Sequence, residues 1–242
     1  MLKCSVKNIV VIMGGDVGAG KSTHTNLLVR YFNHIGLKAS YRLVRAFHNI
    51  AYYLALLIVV IRYRPRLVLN ACKHKYSPVR ILQDYDPHLF LKSFTFLSWL
   101  HLIALLIAIA FRHLISKLFT KVLVFEDHVL GYTNELIYFW FTLRAKMSKW
   151  TKIAWLLGFN ILTSLAIRER AIIIFLYADV QELEKRWLKR KTIREPRHYI
   201  LAGRVATRLL SKIGLNIQHI NTSRRLGEVF KDIVKYVCSY PI

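Results

Sequence analysis

Acidic residues are scarce in this chain of 242 residues, which has 13 Asp and Glu against 37 Lys and Arg and a formal net charge of +24 at pH 7. No carboxylate occurs between Val17 and Gln83. Yet 55% of the residues are hydrophobic, whereas a disordered basic arm would have few apolar residues. The composition therefore excludes a disordered protein. It leaves nucleic acid, nucleotide phosphates or anionic lipid headgroups as partners of so positive a surface.

Cysteine, glycine and proline are also few, with 3, 10 and 5 residues. Cys4, Cys72 and Cys238 lie far apart and form no CxxC, so we expect no zinc cluster and a reducing compartment. The apolar run at residues 9–13 is much shorter than the core of a signal peptide, so we expect no secretion. Without repeats or a Pro/Gly/Ser-rich linker, residues 1–242 are expected to form a single domain.

Five short apolar runs, separated by stretches with helical spacing, predict the strands of a parallel sheet. The first, at residues 8–13, is rich in β-branched residues and lacks polar alternation, as is typical of strands covered on both faces. The other four runs lie at residues 38–43, 121–125, 171–177 and 216–221. Because strands and helices alternate, the sequence predicts a three-layer α/β/α domain.

Directly after the first predicted strand, the segment GDVGAGKS fits the pattern GxxxxGK[ST] without a mismatch. Such a loop wraps its backbone N–H groups around phosphate oxygens at the N-terminus of the next helix, here predicted at residues 21–35. Lys21 would reach the β- and γ-phosphates, and Ser22 would bind Mg²⁺. The alternative is a glycine-rich turn without a ligand. The predicted nucleotide-binding residues are Gly15, Asp16, Val17, Gly18, Ala19, Gly20, Lys21, Ser22 and Thr23.

A phosphate loop of this kind needs a second carboxylate at the end of a neighbouring strand, to hold the magnesium ion or its water. The third predicted strand is followed by Glu126 and Asp127. We predict that Asp127 takes this role, with Glu126 as the next candidate. The alternative is that the two acids cap the helix that follows.

A densely cationic helix is predicted over residues 179–197, where arginines recur about once per helical turn. Guanidinium groups suit the spread charge of a phosphoryl group during transfer, and a mobile cover would also exclude water. We therefore predict catalytic roles for Arg190 and Arg194. The alternative is a solvated basic face without a function.

These segments together resemble the thymidylate kinase family of P-loop nucleoside monophosphate kinases. The resemblance rests on GDVGAGKSTHTNLLVRYFNHIGLKASY, FEDH, IIIFLYADVQELEKRWLKR and NIQHINTSRRLGEVFKDI. It implies a five-stranded parallel sheet in the order 2-3-1-4-5, ATP and Mg²⁺ as cofactors, and a lid at residues 186–197. It also implies that Arg45 and His128 lie near the phosphoryl acceptor.

The leading functional hypothesis is a kinase that transfers the γ-phosphoryl group of ATP to a (deoxy)nucleoside monophosphate or a related phosphorylated acceptor. The alternative is a nucleotide-binding module that has no catalytic activity and associates with a membrane. Nucleic-acid binding is disfavoured, because the sequence has no basic stripe interleaved with aromatic residues and no docking motif.

The apolar region at about residues 46–118 contains two uncharged stretches, at residues 50–61 and 94–111. The second has the 18 residues that a membrane span needs, whereas the first is short for one. The two stretches could lie on an anionic membrane surface, span the membrane, or be buried in the core or in a homodimer interface. We expect a cytoplasmic protein, with peripheral or integral attachment at the inner face of the membrane left open.

Overall fold

A computed structural model of the protein describes residues 9–44, 50–63, 78–111, 116–143, 146–190 and 197–240. The five predicted strands are all present, and their ends lie within two residues of the predicted ones. They are β1 (Ile9–Gly15), β2 (Ala39–Val44), β3 (Val122–Asp127), β4 (Ile172–Tyr177) and β5 (Ile217–Asn221).

The strands form one parallel sheet in the order β2-β3-β1-β4-β5, which confirms the expected fold class and strand order. In the centre of the sheet, Val11 pairs with Val124 on one side and with Ile172 on the other. The side chains of β1 are buried from Ile9 to Met13 because layers of helices cover both faces. This arrangement explains why the central strands are continuous apolar runs.

The helices alternate with the strands as predicted, and the first of them begins at the predicted residue, Lys21. Of the cationic stretch predicted as helix at residues 179–197, the structure describes Val180–Arg190 as helical, and another described helix begins at Arg197; residues 191–196 lie outside the described residues. The helices are α1 (Lys21–His34), α2 (Ile50–Arg62), α3 (Pro78–Tyr85), α4 (Pro87–Ile109), α5 (Ser116–Phe119), α6 (His128–Leu143), α7 (Lys149–Arg168), α8 (Val180–Arg190), α9 (Arg197–Lys212) and α10 (Leu226–Ser239).

Two apolar clusters lie on opposite faces of the sheet. Helices α1, α8 and α10 cover one face, where Phe32, Trp187 and Ile233 are buried. Helices α2, α4, α6, α7 and α9 cover the other face, where Phe90 and Trp155 are buried. The chain thus has the three layers that the strand and helix alternation predicted.

The apolar region of the sequence forms α2 and α4, and α4 packs one of its faces deep in the second cluster. The Phe94 ring lies 4.9 Å from the Phe139 ring, and the Trp155 indole N–H donates to the Ser98 hydroxyl at 3.1 Å. Among the described helices, α4 and α7 are long and apolar enough to cross a membrane by length and composition, and 44% and 39% of their most apolar stretches are buried. The inner face of α4 is therefore core, and its outer face is exposed.

Cys238, near the end of α10, is disulfide-bonded. The expected reducing compartment stays a prediction.

Candidate functional site

The loop between β1 and α1 depends on glycines for its curvature. Gly15, Gly18 and Gly20 have positive φ angles of 142°, 93° and 88°. A Cβ atom on Gly15 would collide with the backbone carbonyl oxygen of Leu176. The N–H of Asp16 donates to that same oxygen at 2.9 Å, which ties the loop to β4. Residues with side chains would be strained at these positions, so the pattern in the sequence reflects a backbone requirement.

Helix α1 begins at the loop with an N-terminus that is open to an anion. Gly20 is the N-cap residue, no side chain caps the helix, and its first turn has no acidic residue. The first N–H groups of an α-helix have no acceptor within the helix, and the helix dipole is positive at this end. The loop and the start of α1 therefore fit a phosphate group.

The Lys21 ammonium group lies between the loop and β3. Its Nζ atom is 2.9 Å from the carbonyl oxygen of Gly15, 3.3 Å from that of Asp16 and 3.8 Å from Oδ1 of Asp127. The lysine side chain is buried. The structure therefore brings together the loop lysine and one of the two predicted strand-end acids.

The other acid, Glu126, contacts the serine of the loop. The Ser22 hydroxyl donates to Oε1 of Glu126 at 2.8 Å, and the Tyr41 hydroxyl donates to Oε2 at 2.8 Å. Asp127 instead lies with Oδ1 3.8 Å from Nζ of Lys21, and its φ angle of 70° takes it out of the extended strand conformation. Of the two predicted carboxylates, Glu126 is the one that the Ser22 hydroxyl contacts, and the metal role of either stays a prediction.

The turn from β3 into α6 has a backbone conformation that residues with side chains seldom adopt. Asp127 and His128 have φ angles of 70° and 39°. A Cβ atom on Gly131 would lie 2.6 Å from the Cβ of Asp127, so this glycine makes room for the turn. The His128 ring is buried and lies 4.8 Å from the Phe125 ring. Strained residues of this kind cluster at functional sites, which supports a role for the strand end.

Asp16 is buried in the loop, and its Oδ2 atom has no hydrogen-bond partner among the described residues. Burial raises the pKa of its carboxyl group to about 6. The charges of Arg204 and Lys21 and a hydrogen bond from the backbone N–H of Ala178 act in the opposite direction. Ionisation of the Asp16 carboxyl group in the folded protein therefore costs free energy.

His24 lies in the first turn of α1, with its ring beside Gly20. Burial, together with the charge of Arg186, lowers the pKa of this histidine to about 4. The imidazole is therefore neutral at physiological pH and adds no charge next to the phosphate loop.

Helix α8 holds the loop through two consecutive side chains. Arg186 Nη1 donates to the carbonyl oxygen of Gly18 at 3.3 Å, and the Trp187 indole N–H donates to that of Val17 at 3.0 Å. Arg186 Nη2 also donates to the Thr222 carbonyl oxygen at 2.6 Å, just after β5. The sequence drew attention to Arg186 only as one arginine of a series. Its pattern carried no indication of the roles of Trp187 and Thr222.

The remaining predicted residues are less closely connected to the loop. Arg190 is exposed at the end of α8, and Thr23 is exposed in the first turn of α1. Arg45 and Arg194 lie outside the described residues, as does half of the predicted lid at residues 186–197. Their roles stay predictions.

The sheet order and the loop together define a P-loop protein with a nucleoside kinase-like fold. No family model matches the sequence, and no curated protein gives a match. Among solved structures, the chain is similar to deoxyadenosine kinase from M. mycoides with bound dCTP. The TM-score is 0.53, and the identity is 12% over 96% of this chain and 99% of that one. It is also similar to thymidylate kinase from Ehrlichia chaffeensis, with a TM-score of 0.44 and 12% identity over 95% and 98% of the two chains. The likeness to the deoxyadenosine kinase shows the fold.

Proposed function

We propose that the protein binds ATP with Mg²⁺ and transfers the γ-phosphoryl group to a nucleoside monophosphate or a related phosphorylated acceptor. The observation that supports this proposal best is the group formed by Lys21, Ser22 and Glu126 beside the open N-terminus of α1. A cation, a hydroxyl and a carboxylate in this arrangement are the side chains that a nucleoside triphosphate with its metal ion requires.

Ser22 and Glu126 are the residues that would hold Mg²⁺, because hydroxyl and carboxylate oxygens are the ligands that this ion prefers. Ser22 lies in the first turn of α1, and Glu126 lies near the end of β3. The Tyr41 hydroxyl, which donates to the second oxygen of Glu126, fixes the orientation of the carboxylate. The ion would neutralise negative charge on the β- and γ-phosphates.

The charged residues in the first third of the chain favour one class of phosphoryl acceptor. A hydroxyl acceptor needs a general base, whereas an acceptor phosphate is already an anion and needs none at neutral pH. The sequence has no carboxylate between Val17 and Gln83, so β2 and the residues that follow it supply no carboxylate base. Arg45, in that stretch, suits a phosphate group instead. This contrast favours a phosphorylated acceptor over a nucleoside.

In the proposed reaction, an oxygen of the acceptor phosphate forms a bond to the γ-phosphorus. The bond between the γ-phosphorus and the β–γ bridging oxygen breaks, and ADP leaves. Lys21 would balance the charge that develops on the transferred group, and the guanidinium groups of Arg190 and Arg194 would cover it from the lid. The chain's part is positioning and charge stabilisation, since phosphoryl transfer asks for little else from a protein.

The test measures ATP binding by calorimetry and ADP formation with a panel of deoxynucleosides, nucleosides and their monophosphates. Mg²⁺-dependent transfer to one or more monophosphates, exceeding ATP hydrolysis without acceptor, is the expected result. Transfer to a nucleoside alone would contradict the choice of acceptor. ATP binding without transfer to any member of the panel would instead favour the alternative, a nucleotide-binding module without catalysis.

A further inference from the structure

Helix α2 exposes an unusually apolar face. A surface helix of a protein in water normally places polar side chains on its exposed side. Here the large hydrophobic residues of α2 that are exposed recur at helical spacing, and the charged residue of the helix is its last, Arg62. The exposed large residues are Ile50, Tyr53, Leu57, Val60 and Ile61.

Helix α4 repeats this pattern next to α2. Its most N-terminal turns carry Lys92, and no charged residue follows before Arg112. The large hydrophobic residues exposed along α4 and just beyond its end are Phe96, Ile103, Leu106, Ile107 and Phe111.

The two helices with exposed apolar faces are neighbours. Both helices bury their opposite faces in the same apolar cluster, α2 through Ala55 and Val59, and α4 through Phe90 and Leu97. They also pack against each other. We call this outer side the α2/α4 surface, defined by the ten large hydrophobic residues named for the two helices. So many exposed large hydrophobic residues on two neighbouring helices indicate an interaction site.

Charge indicates what covers the α2/α4 surface. From Arg45 to Lys121 the sequence has eleven Lys and Arg residues and two carboxylates, Asp84 and Asp86. Asp86 Oδ2 lies 4.0 Å from Nε of Arg62, so one of these acids already faces a cation of its own chain. A second copy of the chain would itself carry a net charge of +24, so it would bring few acids to pair with these cations. Anionic lipid headgroups would neutralise them.

We propose that the α2/α4 surface binds the headgroup region of an anionic bilayer, with the two helices lying along the membrane. The position of α4 argues against a span. Its inner side chains Phe94, Ser98 and His101 are buried in the protein, and the His101 ring stacks on Tyr132 at 5.6 Å. Leaving the core for a bilayer would break these contacts, whereas lying on the surface keeps them.

The experiment uses the full-length protein and vesicles of phosphatidylcholine with or without phosphatidylglycerol, separated by flotation at low and high salt. Binding to the anionic vesicles that weakens with salt is the expected result, because screening reduces the electrostatic part. Equal binding to neutral vesicles would contradict the charge argument, and resistance to carbonate extraction from a native membrane would show a span. No binding in any condition would overturn the proposal.

Two matched variants locate the binding surface. Ile103→Asp places a charge in the α2/α4 surface, where the side chain is 53% exposed. Leu201→Asp places the same charge on α9, where the side chain is 60% exposed. We expect Ile103→Asp to lower vesicle binding about tenfold or more, since it replaces an apolar contact with an anion. Leu201→Asp should bind like the wild type, and both variants should keep their ATP affinity and thermal stability.

Sedimentation in solution tests whether a second copy of the chain, and not a membrane, covers this surface. A wild-type dimer that Ile103→Asp dissociates, together with an absence of vesicle binding, would show that the α2/α4 surface contacts a second copy, and the proposal would then be wrong. Equal loss of vesicle binding in the two variants would also contradict it. These readouts do not depend on kinase activity, so the proposed function and the membrane proposal can fail separately.

Discussion

Helices α10 and α4 lie on opposite faces of the sheet and meet their surroundings in opposite ways. α10 buries Val229, Ile233 and Val237 against the sheet, and its exposed face carries the charged residues Glu228, Lys231, Asp232 and Lys235. α4 also buries one face, but its exposed face is apolar from Phe96 to Ile107. The first helix follows the rule for a helix in water, and the second does not. The membrane proposal rests on this difference between a helix with a charged exposed face and one with an apolar exposed face.

The phosphate loop depends on the layer that contains α10, since α1 carries Lys21 and Ser22 and α8 contacts the loop carbonyls. The α2/α4 surface lies in the other layer. Nucleotide chemistry and surface binding should therefore respond to different substitutions, and each of the following changes tests that separation.

The largest effect is expected for Lys21→Ala. Loss of the cation at the β- and γ-phosphates should lower turnover by about 10² to 10³-fold, because a preorganised charge is removed from the site of transfer. Steady-state kinetics and calorimetry with ATP measure this effect. Vesicle binding should stay unchanged.

Lys231→Ala, on the exposed face of α10, is the matched control and should have wild-type kinetics. Unchanged turnover in Lys21→Ala would contradict the role of the loop. Loss of vesicle binding in the same variant would show that the two layers are not independent.

Glu126→Gln should raise the Mg²⁺ concentration needed for half-maximal activity by about 10 to 100-fold, because a neutral amide replaces the carboxylate that contacts Ser22. The amide has the same size. Its oxygen can accept from one of the two hydroxyls, of Ser22 or Tyr41, and its NH₂ group can donate to the other hydroxyl oxygen, so the fold should be preserved. Titration of activity with Mg²⁺ measures the change. Asp127→Asn is the comparison, and a larger Mg²⁺ effect there would return the metal role to the residue that the sequence predicted.

A change in stability with pH is expected from Asp16. Because burial raises the pKa of its carboxyl group from 3.8 to about 6, the folded protein holds this proton more tightly than the unfolded chain does. The carboxyl group then costs stability as pH rises from about 4 to about 6, and the cost is constant above that range. Asp16→Asn removes this titration, so its free energy of unfolding at neutral pH should exceed that of the wild type by on the order of 1–3 kcal/mol.

Denaturant unfolding at several pH values measures both proteins. His24 has a lowered pKa and contributes the opposite slope, but it contributes to both proteins and cancels in the difference. A difference that does not change between about pH 4 and pH 7 would show that the Asp16 carboxyl group is not destabilised in the fold.

The sheet and the phosphate loop could be predicted from the sequence because local patterns determine them. Apolar β-branched runs marked the strands, and three glycines with positive φ angles supplied the loop, at positions where a Cβ is strained. The assignment of the metal carboxylate could not be predicted with the same accuracy. Glu126 and Asp127 are adjacent, and the left-handed turn at Asp127 that separates their directions leaves no mark in the sequence.

Contacts between segments that are distant in the sequence could not be predicted from local patterns either. The Trp187 indole N–H meets the carbonyl of Val17, and the Tyr41 hydroxyl meets Glu126, only because the strand order brings α8 beside the loop and β2 beside β3. The outer face of α4 was ambiguous too. Its composition fits a buried helix, a span and a surface helix equally, and only the fold shows which side chains are exposed.

The smallest effect is expected for Trp187→Phe, which keeps an aromatic ring beside Gly18 but removes the hydrogen bond to the Val17 carbonyl oxygen. One such bond contributes about 1 kcal/mol, so we expect about fivefold weaker ATP binding and a higher KM for ATP, with the KM for the acceptor unchanged. Trp150→Phe, at an exposed tryptophan of α7, is the control. If Trp187→Phe lowers thermal stability and leaves ATP affinity and both KM values unchanged, the indole supports only the packing of α8. A selective change in the KM for ATP would instead show that α8 positions the phosphate loop.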